Sequence, residues 1–166
     1  RYLLGRVCES FSLAVSFEPK LFPEWNGSGC HTNYSTKTMR EGTGGMKYID
    51  DMMKCFEAKH AVHMRLYGEG NDKRLTGHHE TSRATKFSYG AGNRAASFRI
   101  PTSTAAANGK GYIEDRRPAS NIDPYIVAAV ILSTSCLDGA GTQPMVEHYE
   151  KWCKFIEEAG SSIEKA

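Results

Sequence analysis

The stretch 26–36, NGSGCHTNYST, sets His31, Asn33 and Ser35 two residues apart, with Thr32 and Tyr34 between them. A strand sends alternate side chains to one face. The spacing therefore predicts an imidazole, an amide and a hydroxyl projecting together from a short strand behind a glycine loop. A second stretch, YIEDRRP at 112–118, repeats the device. On a strand, Tyr112, Glu114 and Arg116 share a face, with neighbours about 7 Å apart. Glu114 is a hard anionic ligand suited to Mg2+ or Mn2+. Arg116 offers a fork for bidentate capture of a carboxylate or phosphate. A solvated ladder of salt bridges would show the same spacing.

Arg74, Arg94, Arg99 and Arg116 all lie close to glycines or strand ends. Converging on one pocket, they would suit a polyphosphate and a carboxylate substrate together. Scattered over the surface they would be solvated cations, and spacing leaves both arrangements open. GHHETS (77–82) places His78, His79 and Glu80 in a loop that could close over a site and supply a base. Adjacent loop histidines with no cysteine nearby are a weak pattern for zinc. His60 and His63, three apart on a helical pattern, are either ligands or residues of a helix face. His31 is a structural histidine unless partners face it. RRPAS (116–120) matches a basophilic kinase target, a pattern too common to carry weight.

These residues need elements to position them. Leu3, Leu4, Val7, Cys8 and Phe11 recur at helical spacing, and Leu13, Val15 and Phe17 then alternate as a strand ending near Pro19. Residues 18–29, with two prolines and two glycines, form a loop. After Gly44-Gly45, one long helix carries Met46, Ile49, Met53, Phe56, His60 and His63 and stops near Gly68. Residues 95–101 alternate as a strand. Asp123 caps a helix with Pro124 at its first position, and Gly139 and Gly141 break it. A last helix carries Met145, Tyr149, Trp152, Ile156 and Ala159 and ends at Gly160. The mixture of helices and strands without regular βαβ units predicts an α+β class.

The 166 residues are enough for one domain with a real core, and 40% apolar with 24% charged residues is ordinary for a globular protein. A formal net charge of +2 argues for neither a nucleic-acid nor a membrane partner. No apolar run approaches the roughly 20 residues of a membrane span, and no signal peptide is visible. Five scattered cysteines, never spaced C-x-x-C, suggest reduced thiols and a cytoplasmic protein. The chain opens on Arg1 in what reads as a helix already in progress, so a segment of something larger is expected.

WNGSGCHTNYSTK, RLTGHHETS, GNRAASFRIP and GYIEDRRPASNIDPY resemble successive signature blocks of the eukaryotic-type glutamine synthetases, in the same order and with matching gaps. RYLLGRVCESF and FEPK resemble the segment before the first block. The resemblance covers residues 1–138 and implies the C-terminal part of that catalytic domain, a largely antiparallel sheet with packed helices, here incomplete. Residues 139–166 form an unfamiliar helical tail, and the family's small N-terminal β-grasp domain is absent.

The resemblance also implies roles. His31 and Glu114 would ligate Mg2+ or Mn2+ bridging the phosphates of ATP, and Asn33, Tyr34, Ser35 and Tyr112 would line the nucleotide site. Arg94 and Arg99 would steady the phosphates in transfer. Arg74 and Arg116, with Trp25, Asn26 and Gly27, would hold L-glutamate. Glu80 would shield the intermediate and take a proton from ammonium, so Glu80 and Arg94 are the expected catalytic residues. Members assemble as homo-oligomers, in eukaryotes two stacked pentameric rings. Glu24 stands where Asn is usual, and Thr102 where Arg is usual. The resemblance allows two further readings, a γ-glutamyl-amine ligase and a non-catalytic relative on the same fold.

Overall fold

The computed structural model describes residues 1–137, 139 and 141–163, with the side chains of 156, 157 and 159–163 left aside. Helix α1 (Tyr2–Ser10) leads through an irregular segment to β1 (Thr32–Tyr34). Helices α2 (Lys37–Glu41), α3 (Gly45–Ala58) and α4 (His60–Leu66) follow, then β2 (Tyr89–Ala91), β3 (Phe98–Ile100), the short α5 (Thr102–Ala106) and β4 (Ile113–Asp115). The chain closes with α6 (Pro124–Cys136) and α7 (Thr142–Ile163).

The four strands form one sheet in the order β1-β4-β3-β2. β1 and β3 run antiparallel to β4, and β2 runs parallel to β3, so the expected antiparallel sheet carries one parallel edge. Register sets two rows across it. Asn33, Glu114, Arg99 and Gly90 stand side by side on one face, and Thr32, Asp115, Phe98 and Tyr89 on the other. The apolar layer lies on the second side. Phe98, Ile100 and Ile113 pack with Ile49, Met53 and Phe56 of α3, Leu66 of α4 and Val127, Val130 and Ile131 of α6.

Caps account for the helix starts. Thr36 accepts from Met39 N at α2, and Asp123 Oδ1 accepts from Tyr125 N and Ile126 N at α6, with Pro124 at the first position. α7 docks through the buried Val146, with Met145 and Tyr149 against the core and an ion pair between Glu150 and Arg65 of α4 at its rim.

Three expectations need correction. The single helix over 46–67 is two, because at Lys59 the backbone leaves helical geometry (φ −104°, ψ 9°) and His60 and His63 turn onto the buried Arg117. Residues 13–17 form no strand. Among the described residues no strand or bridge pairs with them, and Leu13 and Val15 remain exposed. The last helix runs past Gly160 to Ile163. Of its expected stripe, Ile156 and Ala159 fall outside the described side chains.

Candidate functional site

The polar face of the sheet converges on Glu114. Its side chain is 9% exposed, and three groups surround it. Arg99 Nε lies 2.6 Å from Oε2, an ion-pair approach without the alignment of a hydrogen bond. Arg116 Nη1 donates to both oxygens at 3.3 and 3.4 Å. His31 Nδ1 lies 3.1 Å from Oε1. A carboxylate this buried would cost several kcal/mol unpaired, and two guanidinium groups offset that cost.

Burial, and then the nearby Arg116, push the His31 pKa down further than Glu114 raises it. The imidazole is therefore neutral at neutral pH, and donation from Nδ1–H to Glu114 leaves the Nε2 lone pair free. Nδ1 faces Glu114 and Nε2 faces away, so an ion held by both side chains would stand in place of the Nδ1 proton, with the proton carried on Nε2. The donor types fit a hard divalent ion, which commonly takes one or two protein ligands and completes its shell with water and phosphate. Among the described residues no third His, Cys, Asp or Glu joins the pair.

The glycines of NGSG explain how His31 is held. A Cβ at Gly29 would sit 2.9 Å from Arg74 Nη1 and 3.0 Å from His31 Nε2, and one at Gly27 would meet Arg74 Cγ at 2.4 Å. Only a bare backbone can pass this close. Beneath the loop, Arg74 is 4% exposed. Its Nη2 donates to the carbonyls of Arg116, Arg117 and Pro118 at 3.1, 2.7 and 3.2 Å. Burial, with Arg116 adding to it, lowers its pKa to about 10, so it stays charged at neutral pH.

Arg116 also ties two loops to the sheet. Its Nε donates to Arg94 O at 3.0 Å and its Nη2 to Glu80 O at 3.3 Å. Glu80 lies in a tight turn closed by Thr81 N donating to His78 O at 3.2 Å. The central residues His79 (φ 54°) and Glu80 (φ 57°) both occupy the left-handed region, a conformation that costs non-glycine residues about 1 kcal/mol or more each. The Glu80 carboxylate reaches out to Arg94 at 3.5 Å, with both side chains largely in solvent.

The expected residues thus divide. His31, Asn33, Arg99, Glu114 and Arg116 share one face, with Glu80 and Arg94 attached through Arg116, with Arg74 near His31 and with Gly27 against Arg74. Ser35, whose Oγ accepts from Arg40 Nη1 at 3.0 Å, lines a separate open hollow with Tyr112, Lys110 and Ser103. Tyr34 points the other way. Its hydroxyl meets Ser135 Oγ of α6 at 2.7 Å, and burial pushes its pKa up to about 12. Trp25 and Asn26 are exposed on the 18–29 loop, with Trp25 against Phe22.

One group of residues escaped sequence reasoning. Asp115 and Arg117, directed away from Glu114 by the strand's alternation, are both wholly buried. Asp115 accepts from Arg117 Nε and Nη2 at 2.9 and 2.8 Å and from Tyr67 OH at 2.9 Å. The Arg117 guanidinium lies 4.8 to 6.0 Å from the ring centres of Phe98, Tyr67, Phe87 and Phe56. His60 donates from Nε2 to Ala84 O at 2.9 Å and accepts from Arg117 Nη1 at 3.0 Å. His63 Nδ1 lies 2.7 Å from Tyr67 OH and 3.3 Å from Arg117 Nη2, and its Nε2 lies 2.8 Å from Thr134 Oγ1. Both histidines are therefore neutral core residues and not ligands. The signal was present in EDRR, where a second acid–base pair occupies the intervening positions of the strand.

Residues 1–150 match the family model described as glutamine synthetase, catalytic domain. The chain is similar to the glutamine synthetase of Suillus bovinus, 58% identical over 139 residues, covering 83% of this chain and 39% of the relative. The Neurospora crassa enzyme is 57% identical over 81% of this chain and 37% of its own length. The Saccharomyces cerevisiae enzyme is 56% identical over 82% and 36%. The chain spans less than two-fifths of the length of these curated relatives.

Proposed function

The chain belongs to the glutamine synthetase catalytic-domain family, and we propose that it forms part of a subunit that joins ammonia to L-glutamate at the expense of ATP. In this reading the side-chain carboxylate of glutamate attacks the terminal phosphorus of ATP, releasing ADP and forming γ-glutamyl phosphate. Ammonia then attacks the acyl carbon, phosphate leaves, and the excess proton passes from nitrogen to a base. The convergence of His31, Arg99 and Arg116 on Glu114 carries the proposal.

His31 and Glu114 would hold Mg2+ or Mn2+, which when bound would draw charge from the nucleotide phosphates. Further ligands would come from water, phosphate and residues outside the described set. Arg99 and Arg94 would offset charge on the transferring group, since such a transition state is stabilised chiefly electrostatically. Arg116 and Arg74 would hold glutamate, with Trp25, Asn26 and Gly27 at its edge. Asn33, Ser35, Tyr112 and Tyr34 would border the nucleotide. Glu80, on its strained turn, would favour ammonium and accept its proton while the loop keeps water from the acyl phosphate.

The family reading also supports a homo-oligomer of two pentameric rings, an N-terminal β-grasp domain and a cytoplasmic location. Among the described residues no helix is long and apolar enough to cross a membrane.

The test is Glu114→Gln in a subunit of the relatives' full length carrying these residues. Glutamine formation should fall by about 10²-fold or more, with a raised requirement for divalent metal. Turnover and metal dependence within twofold of the parent would overturn the assignment.

A further inference from the structure

Asn71 holds Arg74 by its backbone and by its side chain. It opens a 3-10 turn, Asn71–Lys73, entered through Gly70 at φ +67°. That turn brings Arg74 N onto Asn71 O at 3.1 Å. Asn71 is 2% exposed, and both ends of its amide are used. Oδ1 accepts from Arg74 Nε at 3.0 Å, and Nδ2 donates to Arg117 O at 2.7 Å. The partners fix which end is which, because a guanidinium only donates and a carbonyl only accepts.

These bonds close a ring. Arg117 O, held by Asn71 Nδ2, also accepts from Arg74 Nη2 at 2.7 Å, so two of the ring's three sides depend on Asn71. The guanidinium is planar and rigid, and anchoring Nε and Nη2 fixes the direction of the third nitrogen. Nη1 has no hydrogen-bond partner among the described residues. It lies against the glycine loop. A Cβ at Gly29 would stand 2.9 Å from Arg74 Nη1 and 3.0 Å from His31 Nε2, so the uncommitted nitrogen and the imidazole flank one point of the loop. An arginine anchored in this way has given up its rotamer freedom before a ligand arrives, which lowers the cost of binding.

We propose that Asn71 is a positioning residue of the glutamate site, orienting Arg74 so that Nη1 alone is presented to a substrate carboxylate. The role rests on Arg74 holding glutamate, as proposed above. Without the amide, Nε loses its acceptor and Arg117 O loses a donor, so the guanidinium is free to turn away from the loop. The loss falls on glutamate and not on ATP, because Asn71 bonds to none of the residues assigned to the nucleotide.

The test is steady-state kinetics in a subunit of the relatives' full length carrying these residues. Asn71→Ala should raise KM for glutamate about tenfold, the effect of losing one charge-assisted hydrogen bond. KM for ATP and kcat should stay within about twofold, since the lost contact serves binding alone. Asn71→Ser, small enough to admit a water onto both stranded groups, carries the same expectation if Asn71→Ala does not fold. A rise of both KM values together would make Asn71 a residue of the fold only and overturn the proposal. A glutamate KM within about twofold of the parent would also overturn it, while leaving the activity standing. A parent that forms no glutamine would overturn the activity and this role with it.

Discussion

Replacing Asp115 by alanine should be among the most destabilising changes in this chain. The carboxylate accepts four hydrogen bonds, from Arg117 Nε, Nη2 and backbone N and from Tyr67 OH, at 2.8 to 3.1 Å. Removing it strands a guanidinium with no exposure to water. Aromatic faces and His60 remain around Arg117, but they are present before and after the change and cannot offset the loss. Breaking one half of a buried ion pair costs about 3–5 kcal/mol, against a total stability of about 5–15 kcal/mol. Removing both halves together, as in Asp115→Leu with Arg117→Met, should cost less than the two single changes summed, with a coupling of about 2 kcal/mol or more. Urea unfolding followed by circular dichroism would measure each variant by linear extrapolation. A loss below about 1 kcal/mol for Asp115→Ala, at unchanged denaturant slope, would refute the reasoning. It would mean that water reaches Arg117 in the native state.

Burial, with Arg117 and then His60 adding to it, holds the His63 pKa down to about 2, against 6.5 ordinarily. The unfolded chain therefore binds a proton below pH 6.5 that the folded chain refuses. His63's contribution is complete above that pH and is lost as pH falls from 6.5 toward 2, reaching about 2 kcal/mol by pH 5. In stability measured from pH 7.5 to 5, His63→Gln should flatten the slope, and an unchanged slope would contradict it. In the Glu80 turn, His79→Asn should hold or raise stability by up to about 1 kcal/mol, because asparagine tolerates a φ of 54°. His79→Val should lower it by about 1–2 kcal/mol, and equal unfolding midpoints for the two variants would show that the turn is not held in that conformation.

Much of this molecule was legible in its order of residues. Local rules placed α1, the 18–29 loop, the cap of α6 and the strands β1, β3 and β4, because capping, turn chemistry and alternation act over a few neighbours. The same alternation put His31 with Asn33, and Glu114 with Arg116. Four ordered signature blocks identified the family where no single block would have done so. What local rules miss is long-range company. Leu13, Val15 and Phe17 alternate like a strand, but a strand exists only if another pairs with it. His60 and His63 lie on a continuous helical pattern, yet the chain breaks at Lys59 and both rings turn onto Arg117. Nothing in YIEDRRP says which acid–base pair faces ligand and which faces the core. That depended on the register of β4 between β1 and β3, and on four aromatic side chains from distant parts of the chain gathering around Arg117. Spacing decides which side chains share a face. Only the packed fold decides what each face meets, because burial and charge pairing are set by neighbours far away in sequence.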